Sequence, residues 1–166
     1  MTEPSFRWPD GFRPEQAALY VRNVRRIDHP APAVWEALVR AARRPAWYPN
    51  ASRVRLPDGA RDLAPGMRFR WTQTGIPLDC EIREFEPEAR IAWFARSPLI
   101  QAYHAWDLRA NGGACCVVTD ETQRGLLPRL FGSLLKPRML AIHDRWLACL
   151  DAESASAHPS SPALFF

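Results

Sequence analysis

Between Ala51 and Arg124 the chain is cut by turn signals into short stretches of alternating apolar and polar residues, and nothing else in it restricts the fold as much. The turns are Pro57-Asp58-Gly59, Ala64-Pro65-Gly66, Thr74-Gly75-Ile76-Pro77, Glu86-Pro87-Glu88, Ser97-Pro98 and Asn111-Gly112-Gly113, and six strands fit among them as an antiparallel meander. One face carries Phe69 and Trp71, then Leu78, Cys80 and Ile82, then Ile91, Trp93 and Ala95, then His104, Trp106 and Leu108. The other carries Arg68, Arg70, Asp79, Glu81, Arg83, Asp107 and Arg109. A sheet with one wet and one apolar face must cover the apolar one.

The cover lies after Gly125. Leu127, Leu130, Phe131, Leu134, Leu135, Met139, Ile142, Trp146, Leu147 and Leu150 recur at helical spacing, with Pro128 suited to the first turn and Pro137 placed to kink the helix or split it. Residues 153–166 turn to Ser, Ala and Pro and read as a disordered tail ending in Leu164-Phe165-Phe166.

Upstream, Trp8-Pro9-Asp10-Gly11 and Pro14 make residues 1–19 an extended arm, and Val21, Val24 and Ile27 predict a strand over Tyr20–Asp28. His29-Pro30-Ala31-Pro32 opens a helix expected to run from Pro32 to Arg43, with Val34, Trp35, Leu38, Val39 and Ala42 on one face. Pro45 is expected to end it, leaving one short helical turn in Pro45-Ala46-Trp47-Tyr48-Pro49-Asn50. The fold class is therefore α+β: a seven-stranded curved antiparallel sheet around a long C-terminal helix, with two short helices between strands 1 and 2. A curved sheet cannot close fully on a straight rod, so the space between them is the expected site.

Composition narrows the function. At 166 residues with 47% hydrophobic, the chain can bury a full core. Net charge is +4 and the isoelectric point about 9.2, but every basic residue except Lys136 is Arg, and Arg and acids alternate with no run longer than Arg25-Arg26 or Arg43-Arg44. Nucleic-acid binding, which needs clustered positive charge, is not expected. Cys80, Cys115, Cys116 and Cys149 lack paired spacing, and Met1-Thr2-Glu3-Pro4 lacks the features of a secretory leader; the expectation is free thiols in a reducing cytoplasm, with no integral membrane association. His29, His104, His143 and His158 are dispersed without a CxxC or HxxxH companion, so no metal or other cofactor is expected. No G-x-S-x-G elbow, Walker A loop or G-x-G-x-x-G follows a strand.

Several segments together resemble the START/Bet v 1-like superfamily (SRPBCC), in its polyketide cyclase/dehydrase-like lipid-binding branch with the helix-grip fold. They are Ile27-Asp28-His29-Pro30-Ala31-Pro32-Ala33-Val34-Trp35, Trp47-Tyr48-Pro49-Asn50, Gly66-Met67-Arg68-Phe69-Arg70-Trp71, Glu84-Phe85-Glu86-Pro87 with Ile91-Ala92-Trp93, His104-Ala105-Trp106-Asp107-Leu108, Asp120-Glu121-Thr122-Gln123-Arg124-Gly125 and His143-Asp144-Arg145-Trp146-Leu147. The resemblance spans roughly residues 20–150 and implies a domain over 20–152. It departs at Arg44, where another Trp often stands, expected at the cavity mouth.

Within this frame the candidate chemistry is sparse. His104 shares a face with Trp106 and is either a general acid or base or a hydrogen-bonded core histidine. Asp120 and Glu121 occupy opposite faces of the last strand, so one points inward and either orients His104 or polarises a ligand, or else forms a plain salt bridge at the strand end. Trp35, Phe69, Trp71, Trp93, Trp106, Phe131, Met139 and Trp146 are candidate apolar walls or plain core, Gln73 a polar contact, and Cys80 a small filler. His143 faces either the cavity or, as the preferred expectation, solvent or a surface contact on the Asp144 side. The leading expectation is a binder of a small hydrophobic or aromatic, lipid- or polyketide-like ligand, with cyclase or dehydratase chemistry open. The alternative is a protein-interaction module using the Arg-rich outer face or the aromatic arm. A monomer or a homodimer fits either, the latter joined through Phe6-Arg7-Trp8.

Overall fold

The computed structural model describes residues 6–157. Its strands are β1 (Leu19–Ile27), β2 (Ala51–Arg55), β3 (Arg68–Gln73), β4 (Ile76–Glu86), β5 (Arg90–Arg96), β6 (Gln101–Asn111) and β7 (Ala114–Arg124). They form one sheet in the order β1-β7-β6-β5-β4-β3-β2, antiparallel throughout. The long helix α3 (Leu126–Ala157) crosses its concave face, giving the helix-grip architecture.

The connection after β1 differs from the expected single helix. Helix α1 covers Ala31–Val39 only, because Arg40 leaves helical geometry (φ −73°, ψ 64°). A 3₁₀ turn at Ala41–Arg43 follows, and then α2 (Arg44–Trp47). Pro45 opens α2 instead of ending α1: a first-turn position has no N–H to lose. The consequence is that Arg44 turns inward and is fully buried, not placed at a cavity mouth.

Inside the grip, Trp71, Trp93, Trp106 and Trp146 are all buried. Trp146 of α3 sits 5.4, 6.2 and 5.0 Å from Trp71, Trp93 and Trp106 and stacks on Tyr48 at 4.8 Å. The Arg44 guanidinium lies 5.0, 5.8 and 5.2 Å from the rings of Trp71, Trp93 and Trp146. All three are cation–π distances, and the attraction offsets part of what burying the charge costs. One hydrogen bond, Nη2 to the Leu38 carbonyl at 3.1 Å, holds it, while Nε and Nη1 have no partner among the described residues. Burial lowers this guanidinium to about 10, still charged at neutral pH.

The outer face is wet only in part. Arg68, Arg70 and Arg83 project outward and pair with Asp79 or Glu81. On β5 and β6, however, Ala92, Phe94, Tyr103 and Ala105 form a second apolar cluster covered by Phe6 and Phe12, with Trp8 packed against it. Residues 6–18 are therefore a docked cover with turns, not an extended arm. Phe12 meets Phe94 edge-on at 5.0 Å, and Glu84 accepts hydrogen bonds from the Arg7 amide (2.9 Å) and the Tyr103 hydroxyl (2.7 Å).

Helix α3 also departs from expectation at both ends. It remains helical through Ala157, so residues 153–157 are not tail, whereas Leu164-Phe165-Phe166 lie outside the described residues. Its non-helical residue is Phe131 (φ −126°, ψ 15°), six positions before Pro137. Leu130, Phe131 and Leu134 face solvent instead of covering the sheet. Gly125 at the β7–α3 junction has φ +115°, and a Cβ there would stand 2.5 Å from the Leu99 carbonyl oxygen, so only glycine fits the corner.

Candidate functional site

The four Trp rings and Arg44 fill one half of the grip. The remaining space is a cavity of about 250 Å³ between β3–β7 and the N-terminal half of α3. Its apolar walls include Leu78, Trp93, Ala95, Ala102, Leu127, Leu135, Met139 and Ile142, and its polar groups are Gln73, His104, Glu121, Gln123 and Arg138. Larger hollows of about 380 and 570 Å³ lie on the outer face of β2–β5, lined by Arg53, Arg55, Arg68, Arg70 and Arg96 with Asp79 and Glu81. Both are rimmed by charged side chains, most of them exposed.

Register places the polar end of the inner cavity. Trp93 of β5 stands opposite His104 of β6, which stands opposite Glu121 of β7. Of the acidic pair, Glu121 is the inward member; Asp120 faces the other side and is held by Arg22 through two hydrogen bonds of 2.8 Å. His104 Nε2 contacts Thr119 Oγ1 at 2.7 Å, and its Nδ1 lies 3.3 Å from Glu121 Oε2. The same carboxylate oxygen accepts a hydrogen bond from His143 Nε2 at 3.1 Å, while Gln123 Nε2 donates to Oε1.

His143 is thus fully buried and part of the site, not on the surface. Its ring stacks on His104 at 4.8 Å and 8°. The signal was its spacing: His143, Trp146, Leu147 and Leu150 recur as i, i+3, i+4 and i+7, one face of the helix. Gln123, two residues beyond Glu121 on the same strand face, was readable by the same alternation.

Burial dominates the electrostatics. It drives the His104 imidazole down to about 3, against the opposing pull of Glu121, so the ring is neutral near pH 7. Burial alone would raise the Glu121 carboxyl, but His104, His143 and Gln123 outweigh it and hold the group at about 2, ionised. The core therefore holds a buried anion at Glu121 and a buried cation at Arg44, whose field reaches His104. Gln73 is nearly buried on the cavity wall, and its side chain bonds toward the Tyr48 hydroxyl.

The cluster also has the donor types of a metal site. His104, Glu121 and His143 bring one ligand atom each to within 4.8 Å of one another, a set that divalent transition ions use. The three are 17 and 22 residues apart on β6, β7 and α3, so spacing along the chain could not reveal them. The parallel rings do not aim both in-plane lone pairs at one point; a shared ion would require one ring to turn.

Of the candidate ligand contacts, Gln73, Trp93, His104 and Met139 line the cavity, and of the candidate catalytic residues Glu121 joins them with His104. Trp35, Phe69, Trp71, Cys80, Trp106 and Trp146 belong to the packed core, with Trp35 edge-on to Phe85 at 5.1 Å. Their rings fill each other's gaps before they can line anything. Cys80 acts as a filler, its thiol pushed up to about 12 by burial. Phe131 is 46% exposed and points away from the cavity, because the backbone break at this residue rotates it outward.

Comparison with known proteins agrees with this architecture. A hypothetical protein of Helicobacter pylori is 24% identical and superposes with a TM-score of 0.85 over 93% of this chain and 98% of its own. A protein of the dynemicin biosynthetic locus is 20% identical (TM-score 0.64, 85% of this chain and 49% of that one). A START superfamily protein of Mycobacterium smegmatis is 10% identical (TM-score 0.65, 84% and 99%). At these identities the likeness carries the fold alone. No curated protein matches the sequence. Among the described residues no helix is long and apolar enough to cross a membrane. Residues 19–154 match the family described as polyketide cyclase / dehydrase and lipid transport, and the chain belongs to it.

Proposed function

We propose that the protein binds a small, mostly apolar molecule with one polar end, held between β3–β7 and the first half of α3. The observation that carries this reading is a cavity walled mostly by apolar side chains, with a few polar groups, Gln73, His104, Glu121 and Gln123, on its sheet side. Across the cavity, the ionised Glu121 would accept from a ligand hydroxyl. A volume of about 250 Å³ lies just below the usual range for drug-sized ligands, about 300–1,000 Å³, and favours a compact one.

The same electrostatics favour binding over turnover. A histidine held at about 3 is a weak base near neutral pH, so His104 serves here as a neutral wall that fixes Glu121. Cyclase or dehydratase chemistry at His104 would require the ligand to raise it. The interaction-module alternative lacks comparable support, since the aromatic arm is already committed to covering Phe94 and Tyr103.

The test is titration with the fluorescent apolar probe N-phenyl-1-naphthylamine, alongside native mass spectrometry of the purified protein. We expect saturable one-site binding that Ala102→Trp weakens at least tenfold by filling the cavity. Binding of equal strength in this variant, with an unchanged melting temperature, would overturn the proposal.

A further inference from the structure

Seven large hydrophobic residues are exposed among the described ones: Val24, Ile76, Leu99, Leu126, Leu130, Phe131 and Leu134. Four of them lie on the first half of α3, and Ile76 and Leu99 lie on turns beside elements that line the cavity. Leu126, Leu130, Phe131 and Leu134, between 46 and 72% exposed, run along the outer side of the first half of α3, whose inner side (Leu127, Leu135, Met139) lines the cavity. Ile76 lies on the cavity wall in the β3–β4 hairpin, and Leu99 is tied to the start of α3 by the Leu127 amide, which bonds to its carbonyl at 3.3 Å. An apolar rim of this kind on a monomer marks a contact surface.

Charge identifies what it contacts. From Thr122 to His143 there is no acidic residue, while Arg129, Lys136 and Arg138 stand exposed on the same helical segment. One other occupant fits less well. A second copy meeting this face about a two-fold axis would set Arg129, Lys136 and Arg138 against their own equivalents, a like-charge arrangement.

We propose that the outer side of the first half of α3, with the Leu99 and Ile76 turns, docks on a bilayer bearing anionic phospholipid and presents the cavity mouth to it. The apolar stripe enters the acyl boundary and the basic residues meet the headgroups, the division found in interfacial amphipathic helices. The inference stands on the rim alone and does not require a particular ligand.

Co-sedimentation of the full chain with vesicles tests it, comparing phosphatidylcholine alone with a 7:3 mixture of phosphatidylcholine and phosphatidylglycerol. We expect binding to the mixed vesicles only, weakened at least tenfold in 0.5 M NaCl. Leu130→Glu/Leu134→Glu and, separately, Arg129→Glu/Lys136→Glu should each weaken it at least tenfold. All four positions are exposed, so melting temperature and naphthylamine binding should be unchanged. No binding to anionic vesicles, or binding that the leucine variant leaves intact, overturns the proposal. So does a dimer, seen by light scattering, that dissolves in that variant without any vesicle binding. Loss of naphthylamine binding with vesicle binding retained would instead remove the ligand reading and leave this one standing.

Discussion

Replacing His104 with Gln should make the protein markedly less sensitive to acid. In the fold, burial holds His104 at about 3, whereas the unfolded chain restores its ordinary 6.5. Between those values the unfolded state binds a proton that the folded state refuses, so stability is fully present above 6.5 and falls as pH drops toward 3. A single such group costs about 1.4 kcal/mol per pH unit well inside the window. From pH 7 to pH 4.5 the loss comes to about 2–3 kcal/mol. Glu121, held at about 2 against an ordinary 4.5, has the same sign but acts mainly below this interval, contributing only about a few tenths of a kcal/mol. Gln keeps a polar end toward Thr119 and cannot titrate. The assay is urea unfolding at both pH values followed by tryptophan fluorescence, comparing the two proteins so that all other titrating groups cancel. Wild type should lose about 2–3 kcal/mol more than the variant on acidification. A difference under about 0.5 kcal/mol would show that His104 does not stay neutral in the fold, and the electrostatics of the site would have to be redrawn.

Among the described residues Arg44 has no carboxylate partner and is held by three indole faces and one carbonyl, so its volume should matter more than its charge. Arg44→Met should cost less than about 2 kcal/mol and Arg44→Ala about 3–5 kcal/mol in urea unfolding; equal losses would assign the effect to the guanidinium itself. Gly125→Ala should destabilise by more than about 2 kcal/mol in the same assay, since a Cβ would stand 2.5 Å from the Leu99 carbonyl oxygen at a backbone angle of +115°. A smaller loss would mean that the β7–α3 corner gives way.

Alternation and punctuation carried the sheet because they are local: the inward positions of β3 to β6 are those the period-two runs indicate, and the bulge between Ile82 and Glu84 brings Phe85 inward beyond it. What escaped was set by tertiary packing. The apolar cluster at Phe94 and Tyr103 is covered by residues some ninety positions away, and alternation cannot tell a wet face from one that another segment covers. The helix face was legible in its second half, where Trp146, Leu147 and Leu150 are buried. It was not legible in its first half, where the same leucine spacing serves both a cavity wall and an exposed rim. His143 and Arg44 are polar by type, which favours the surface, and both are buried through aromatic contacts that only the fold assembles.

The Trp-rich core and the cavity are consequences of one asymmetry in α3. Its second half packs Trp146 among Trp71, Trp93 and Trp106, and three aromatic neighbours plus Arg44 leave no room for a ligand there. Its first half carries Pro128, Gly132 and Pro137, with the backbone break at Phe131. Gly132 passes so close to β1 that a Cβ would lie 3.0 Å from the Ala18 carbonyl oxygen. Pinned on the β1 side and bent at Phe131, this half leaves space over β3–β6, where Gln73 faces one wall and Glu121 the other. His104 stands at the boundary, with Trp93, Trp106 and Trp146 within 5.3 Å on one side and the cavity on the other. Burial among those rings keeps it neutral, and its neutrality leaves Glu121, among the described residues, as the charge on that wall of the cavity.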